Sequence, residues 1–96
     1  MKTLRLRPRA EADLDEIWLH VAGDDPGAAD ALIDRFTGIF DLLCRQPAMG
    51  APTPEVSKGL RRFSLGNYLI FYTEDADTLV VERVLHGARD IEALFE

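Results

Sequence analysis

The sequence predicts an α+β fold in which a helical hairpin packs on one face of a four-stranded antiparallel or mixed sheet. Apolar residues recur with the period of a helix in two stretches before residue 46, and with the period of a strand after residue 59. Between them, residues 47–58 form a linker that holds three of the five prolines. The predicted order of elements is β-α-α-β-β-β-α. A chain of 96 residues suits a single domain, residues 1–96.

A proline separates the first strand from the first helix. Leu4 and Leu6 alternate with polar residues, as in a half-buried strand. Pro8 ends this strand and suits the first turn of a helix, which is expected from about residue 9 to 22 and to stop at Gly23. The apolar stripe of this helix is Ala10, Leu14, Ile17, Trp18 and Val21. Trp18 is therefore expected in the core. A solvated face is expected to carry Glu11, Asp13, Asp15, Glu16 and His20.

The second helix has a clear start and a clear stop. Asp25 is expected to cap it, with Pro26 at its first position. The helix must end before Pro47, because proline disfavours the helical conformation in the residue preceding it. The turn between the two helices is so short that they must pack as an antiparallel hairpin. The apolar stripe of the second helix is Ala29, Leu32, Ile33, Phe36, Phe40 and Leu43.

Three strands and a short helix are expected after the linker. Residues 60–65 and 68–73 flank Gly66-Asn67 and predict a tight hairpin. Residues 78–86 are apolar on both faces for much of their length, which is typical of a central strand. In the predicted register Arg83 interrupts an apolar row formed by Leu79, Val81 and Leu85. Residues 88–95 predict the short C-terminal helix.

Composition excludes several classes of protein. The chain has 11 basic and 17 acidic residues, a net charge of −6 and a sequence pI near 4.8. Tight non-specific binding of nucleic acid is not expected, because it requires many Lys and Arg side chains on phosphates. A protein partner is expected instead.

The longest apolar runs are too short to span a bilayer or to form a signal peptide, so a cytoplasmic protein is predicted. Neither a disulfide, a metal site nor a cofactor is expected, since Cys44 is a lone cysteine and the His and acidic residues show no ligand spacing.

The most suggestive polar set lies late in the chain and consists of Arg61, Arg83, His86, Arg89 and Asp90. One interpretation is that these side chains meet at one end of the sheet and bind a partner. The alternative is structural: Arg89 and Asp90 would tie the terminal helix to the sheet, and His86 would be hydrogen-bonded where the strand ends. The structural interpretation is favoured for His86 and Asp90. For Arg61 and Arg83 both interpretations stay open.

For the other candidate functional residues, structural roles are favoured. Cys44 follows two leucines and is expected in the core, and His20 is expected on the surface. Tyr68 and Tyr72 share a strand face and are expected at the core edge rather than as a stacking platform for RNA. The sheet face away from the helices carries apolar side chains from three strands, so an exposed apolar face is predicted that a partner or a second copy must cover.

Four stretches in this order resemble the ParE branch of the RelE/ParE toxins, from bacterial type II toxin–antitoxin pairs. The resemblance covers nearly the whole chain. Its stretches are residues 9–18 (RAEADLDEIW), 43–50 (LCRQPAMG), 59–61 (GLR) leading through 68–72 (YLIFY), and 83–90 (RVLHGARD).

The resemblance implies a small toxin that a co-encoded, ParD-like antitoxin holds inactive. ParE toxins are associated with poisoning DNA gyrase, without being enzymes. The RelE branch cleaves mRNA on the ribosome with a basic cluster and a late Tyr or His. This chain has two lysines, Lys2 and Lys58, and no tyrosine after Tyr72. We therefore expect a gyrase inhibitor without catalytic residues, bound by a basic amphipathic antitoxin segment on the helical hairpin and the open sheet face. The alternatives are a ribosome-dependent endoribonuclease and a non-toxic relative that still pairs with antitoxin.

Overall fold

The computed structural model of the protein describes residues 1–87, which form two α-helices and a five-stranded sheet. The order across the sheet is β1-β5-β4-β3-β2, with β1 parallel to β5 and the other pairs antiparallel. The α+β class and the mixed sheet are confirmed; the predicted C-terminal helix, residues 88–95, lies outside the described residues. The elements are β1 (Thr3–Leu6), α1 (Pro8–Ala22), α2 (Pro26–Arg45), a 3₁₀ turn (Pro47–Met49), β2 (Ala51–Pro52), β3 (Arg61–Leu65), β4 (Tyr68–Glu74) and β5 (Thr78–His86).

The prediction of four strands is wrong by one short strand inside the linker. Ala51 pairs with Arg62 and Pro52 pairs with Arg61, at the outer edge of the sheet. Proline has no N–H to donate, so it is tolerated where a strand has a neighbour on one side alone. Two residues are too few to show the alternation that marks a strand in a sequence.

Both predicted helices are present at the expected bounds. The Asp25 carboxylate accepts a hydrogen bond from the Ala28 N–H at 3.1 Å and so caps α2. At the end of α1, the Gly23 N–H donates to the Leu19 carbonyl at 3.1 Å. Residues 23–25 then turn the chain back, and α1 packs against α2 as the predicted hairpin. Within residues 1–87, neither helix is long and apolar enough to cross a membrane.

The β3–β4 hairpin and the central position of β5 are also confirmed. Gly66 adopts a positive φ of 57° in the two-residue turn, and Leu65 pairs with Tyr68 across it. Asp75 shapes the next turn by accepting a hydrogen bond from the Thr78 N–H at 3.0 Å. β5 then lies between β1 and β4.

A β-bulge in β5 changes the predicted register. Val81 pairs with Tyr72 and Arg83 pairs with Phe71, so Glu82 is an extra residue on β5. Beyond the bulge, Val84 joins the main core and Leu85 turns to the opposite face. The prediction that Leu85 shares a face with Leu79 and Val81 is therefore wrong, because period-two alternation cannot anticipate an inserted residue.

The core is divided by the sheet into two unequal clusters. The larger one lies between the helical hairpin and the sheet. The smaller one lies on the opposite face, where Phe71 is 1% exposed and Leu85 is 3% exposed. Val56, in the loop before β3, packs against this smaller cluster. The predicted exposed apolar face is therefore wrong: its large side chains are buried. The larger cluster includes Ala10, Ile17, Phe36, Phe40, Leu43, Ile70, Tyr72, Leu79, Val81 and Val84.

Candidate functional site

Asp13 on α1 holds the edge of β5. Its carboxylate accepts hydrogen bonds from Arg83 Nε at 2.8 Å, from Arg83 Nη2 at 3.0 Å, and from the Val84 N–H at 3.0 Å. The pairing of β1 with β5 reaches Leu6 and Val81, so the next part of the β5 edge faces α1 instead of a strand. The carboxylate thus satisfies a strand N–H that would otherwise lie buried without a partner.

The expectation that the acidic residues of α1 are all solvated is wrong for Asp13. Asp13 is 8% exposed, whereas Glu11, Asp15 and Glu16 are exposed. A signal was present in the sequence, because Asp13 falls between the core positions 10 and 17 on the helical wheel. Asp13 thus interrupts the apolar face of α1, just as Arg83 interrupts the apolar row of the last strand. The two charged residues are each other's partners.

His86 lies at the end of β5 in a small polar cavity. It pairs with Tyr68 across the strands, and the two rings meet edge to face with centroids 5.5 Å apart. Asp13, Glu16 and His20 of α1 line the same cavity, whose volume is about 60 Å³. The Nδ1 atom of His86 is buried and has no hydrogen-bond partner among residues 1–87. The expected hydrogen bond at the strand end is therefore not formed by this atom with any described residue.

Arg61 belongs to a different arrangement, at the other end of β4. Its Nη1 donates to the Gly50 carbonyl at 2.7 Å. Beside it, the buried hydroxyl of Tyr72 accepts from the Gly50 N–H at 2.8 Å and donates to the Pro47 carbonyl at 2.5 Å. Burial raises the pKa of the Tyr72 hydroxyl. These bonds attach the 3₁₀ turn and β2 to the sheet, and sequence patterns carried no sign of them.

The three described members of the predicted polar set, Arg61, Arg83 and His86, do not form one cluster. Arg61 pairs with Tyr72 and His86 pairs with Tyr68, so the two positions are separated by about 13 Å along β4. The Arg83 guanidinium is directed to Asp13 on α1. Arg89 and Asp90 lie outside the described residues.

A groove on the helical hairpin offers a larger binding surface, and we call it the acidic groove. Its volume is about 580 Å³. Trp18 lies half-buried in it and donates from Nε1 to an Asp30 carboxylate oxygen at 2.8 Å. The expectation that Trp18 lies in the core is therefore only partly met, because its ring also lines a surface. The acidic groove consists of Leu6, Glu11, Leu14, Asp15, Trp18 and Ile33.

Negative charge is concentrated on the helical hairpin that contains this groove. Residues 8–45, which span both helices, carry nine acidic and three basic side chains. Their net charge of −6 equals that of the whole chain. The hairpin therefore has a charge that suits a basic binding partner.

The remaining candidates take structural positions. His20 is exposed, as predicted, and Cys44 is 2% exposed in the core. Burial raises the pKa of the Cys44 thiol, which makes it a poor nucleophile. Within residues 1–87, no three His, Cys, Asp or Glu side chains lie close enough together to hold a metal ion.

Comparison with known proteins gives one consistent result. The family described as ParE toxin of type II toxin–antitoxin system, parDE, matches residues 4–91. Toxin ParE1 of Caulobacter vibrioides is 29% identical in an alignment 96 residues long, which covers 97% of each chain. Toxin ParE1 of Mycobacterium tuberculosis is 31% identical in an alignment 90 residues long, which covers 91% of each chain.

A solved structure shares the fold. The chain resembles one from the chromosomal ParDE TA system of P. aeruginosa with a TM-score of 0.76 and 22% sequence identity. The match covers 90% of this chain and 96% of that one.

Proposed function

Because the chain belongs to the ParE toxins of type II toxin–antitoxin systems, we propose that it inhibits DNA gyrase and that a co-encoded ParD-type antitoxin neutralises it. Gyrase inhibition would block DNA replication, and both partners would meet the toxin in the cytoplasm. The toxin would act as one domain, residues 1–96.

The observation that carries the antitoxin proposal is the acidic groove. Its apolar floor includes Leu14, Trp18 and Ile33, and Glu11 and Asp15 stand at its rim. A helix of a partner binds such a groove by inserting apolar residues spaced three and four apart. Lys and Arg on the flanks of that helix would face the acidic rim. The proposed antitoxin segment is therefore basic and amphipathic, and it binds the helical hairpin.

Two features of the described residues support a mode of action without catalysis. RNA cleavage needs a base, an acid and cations around one phosphate. Arg61 and His86 lie at opposite ends of β4, so they do not surround one phosphate. The Tyr72 hydroxyl is engaged by Gly50 and Pro47 and its pKa is raised, so it does not supply the acid or the base.

Inhibition of purified gyrase is the direct test. The toxin is added to gyrase and relaxed plasmid, and supercoiling is followed with and without antitoxin. We expect the toxin to stop supercoiling and an equimolar amount of antitoxin to restore it. Undiminished supercoiling at a large excess of toxin would contradict the proposal.

Pulse labelling in cells separates the alternatives. After the toxin alone is induced, we expect DNA synthesis to fall before protein synthesis. Early loss of protein synthesis with intact DNA synthesis would indicate a ribosome-dependent endoribonuclease instead. Normal growth would indicate a non-toxic relative.

A further inference from the structure

The sheet face opposite the helical hairpin is positively charged, whereas the hairpin is negatively charged. Side chains that alternate with the main core place Arg5, Arg7 and Arg62 on this face, together with Glu82. Among these described residues, three arginines against one glutamate give a net charge of +2. We call this surface the basic face. It contrasts with the hairpin, since residues 8–45 have a net charge of −6.

The single acid of the basic face is already engaged. Glu82 accepts a hydrogen bond from Arg7 Nε at 3.1 Å and from the Thr73 hydroxyl at 2.9 Å. Arg5 and Arg62 are exposed, and within the described residues neither has an ion-pair partner. Two solvated cations therefore lie on either side of the Arg7–Glu82 pair. Their backbone positions are about 16 Å apart, across three strand spacings and two residues along the strands.

A groove of mixed polarity lies between these cations, lined by Val56, Ser57, Leu60, Phe71, Thr73 and Glu82. Its volume is about 340 Å³, and Phe71 and Leu60 form its floor. Val56 and Ser57 form one wall, in the loop that precedes β3. Glu55 and Lys58, both exposed, flank Val56 and Ser57 in the same loop, and their charges cancel. The positive charge beside the groove therefore comes from Arg5 and Arg62.

We propose that the basic face docks an acidic segment of the toxin's target, with an apolar side chain in the groove and carboxylates beside Arg5 and Arg62. The argument is charge complementarity: a basic antitoxin segment suits the hairpin, whereas this face suits an acidic partner. Target and antitoxin would then bind different faces of the toxin. This inference rests on the proposed function, because gyrase is the target used to test it.

The test compares two charge-reversed toxins of equal net charge. One carries Arg5→Glu with Arg62→Glu on the basic face. The control carries Arg35→Glu with Arg45→Glu, two exposed arginines of α2. We expect the first variant to need at least tenfold more protein to inhibit gyrase supercoiling, and the control to stay within twofold of wild type.

Antitoxin binding checks that the variants are folded. Both should co-purify with antitoxin in the wild-type ratio, and Arg5→Gln with Arg62→Gln serves as a milder version if the charge-reversed toxin does not fold. Wild-type inhibition by the basic-face variant would overturn the docking proposal while gyrase remains the target.

Growth after induction distinguishes failure of the docking proposal from failure of the proposed gyrase target. If wild-type toxin leaves gyrase active, the gyrase target is wrong, and the same variants are then compared by growth after induction. Loss of growth arrest in the basic-face variant alone would support docking of another target on this face. Equal growth arrest by both variants would overturn it.

Discussion

Asp13 and Arg83 form a two-point ion pair between the first helix and the central strand, although 70 residues separate them in the sequence. The side chains are 9% and 17% exposed, respectively. The same carboxylate also accepts the Val84 N–H at 3.0 Å. One side chain thus joins α1 to β5 where β1 no longer covers that strand edge.

Asp13→Ala is expected to lower the free energy of unfolding by about 3 kcal/mol, because removing one partner of a buried ion pair leaves buried polar groups uncompensated. The Val84 N–H loses its acceptor as well. Urea denaturation followed by circular dichroism measures the effect. Asp15→Ala is the matched control, since Asp15 is exposed on the same helix, and it should change stability by less than about 0.5 kcal/mol. Equal effects of the two substitutions would show that the pair is not a structural link.

Tyr72→Phe tests the attachment of the 3₁₀ turn. The substitution removes a hydroxyl that satisfies both the Gly50 N–H and the Pro47 carbonyl. Leaving such groups unpaired in a buried place costs about 1–3 kcal/mol, and the change should be visible in the urea midpoint. Tyr68→Phe is the control, because Tyr68 is half-buried and no hydrogen bond of its hydroxyl is present among the described residues. A larger loss in the control than in Tyr72→Phe would contradict this account.

Two glycine substitutions should change stability in opposite directions. A Cβ on Gly50 would lie 2.6 Å from Tyr72 Cε1, so Gly50→Ala must displace the buried ring and should destabilise by about 2 kcal/mol. A Cβ on Gly38, inside α2, meets no atom within 4 Å. Gly38→Ala should therefore stabilise the protein by up to about 1 kcal/mol, since alanine favours the helix more than glycine. Thermal melts of the two variants provide the comparison, and a shift in the same direction would be the contrary result.

Stability should fall in alkaline solution, because two buried acids hold their protons more tightly in the folded protein. Burial raises the pKa of Cys44 above its ordinary value of 9.0 and that of Tyr72 above 10.0. Between the unfolded and folded pKa values the native state binds more protons than the unfolded chain, so the free energy of unfolding decreases as pH rises. The decrease should begin near pH 9 with Cys44 and continue above pH 10 with Tyr72.

Urea midpoints between pH 7 and pH 11, measured with a reductant present, test this dependence. Cys44→Ala should remove the first part of the decrease, and Tyr72→Phe should remove the second. A midpoint that stays constant up to pH 11 in the wild-type protein would refute the prediction.

The elements that depend on local periodicity could be predicted from the sequence. The stripes of α1 and α2 and the Gly66 turn follow from neighbouring residues, and so their bounds could be predicted. The link between Asp13 and Arg83 could not, because it depends on where β1 stops and on which edge of β5 faces α1. The bulge at Glu82 is also invisible to a period of two, and it decides the faces of Val84 and Leu85.

The same distinction applies to the candidate site. Charge counts predicted a protein partner, and the fold then concentrates the negative charge on the hairpin. The late arginines suggested one cluster, but separate pairings hold Arg61 at Gly50 and Arg83 at Asp13. The spacing of residues along the sequence does not predict these pairings, because their acceptors are a loop carbonyl and a helix carboxylate.

The rim of the acidic groove should control how fast antitoxin binds. Glu11→Lys with Asp15→Lys replaces two rim carboxylates by cations. The Kd for antitoxin should rise about tenfold, equivalent to about 1.4 kcal/mol, chiefly through slower association because rim charges steer encounter. Surface plasmon resonance at low and high salt measures both rate constants, and the wild-type association rate should fall with salt more steeply than that of the variant.

A control variant with the same charge change on another surface separates the effect of the rim positions from the effect of net charge. Glu74→Lys with Asp77→Lys places the cations at the exposed β4–β5 turn, outside the hairpin. If net charge alone attracts the antitoxin, both variants should slow association equally. If the rim positions the antitoxin segment over Leu14, Trp18 and Ile33, the turn variant should bind within twofold of wild type. Equal slowing would therefore reject the acidic groove as the docking site, even with the antitoxin partnership intact.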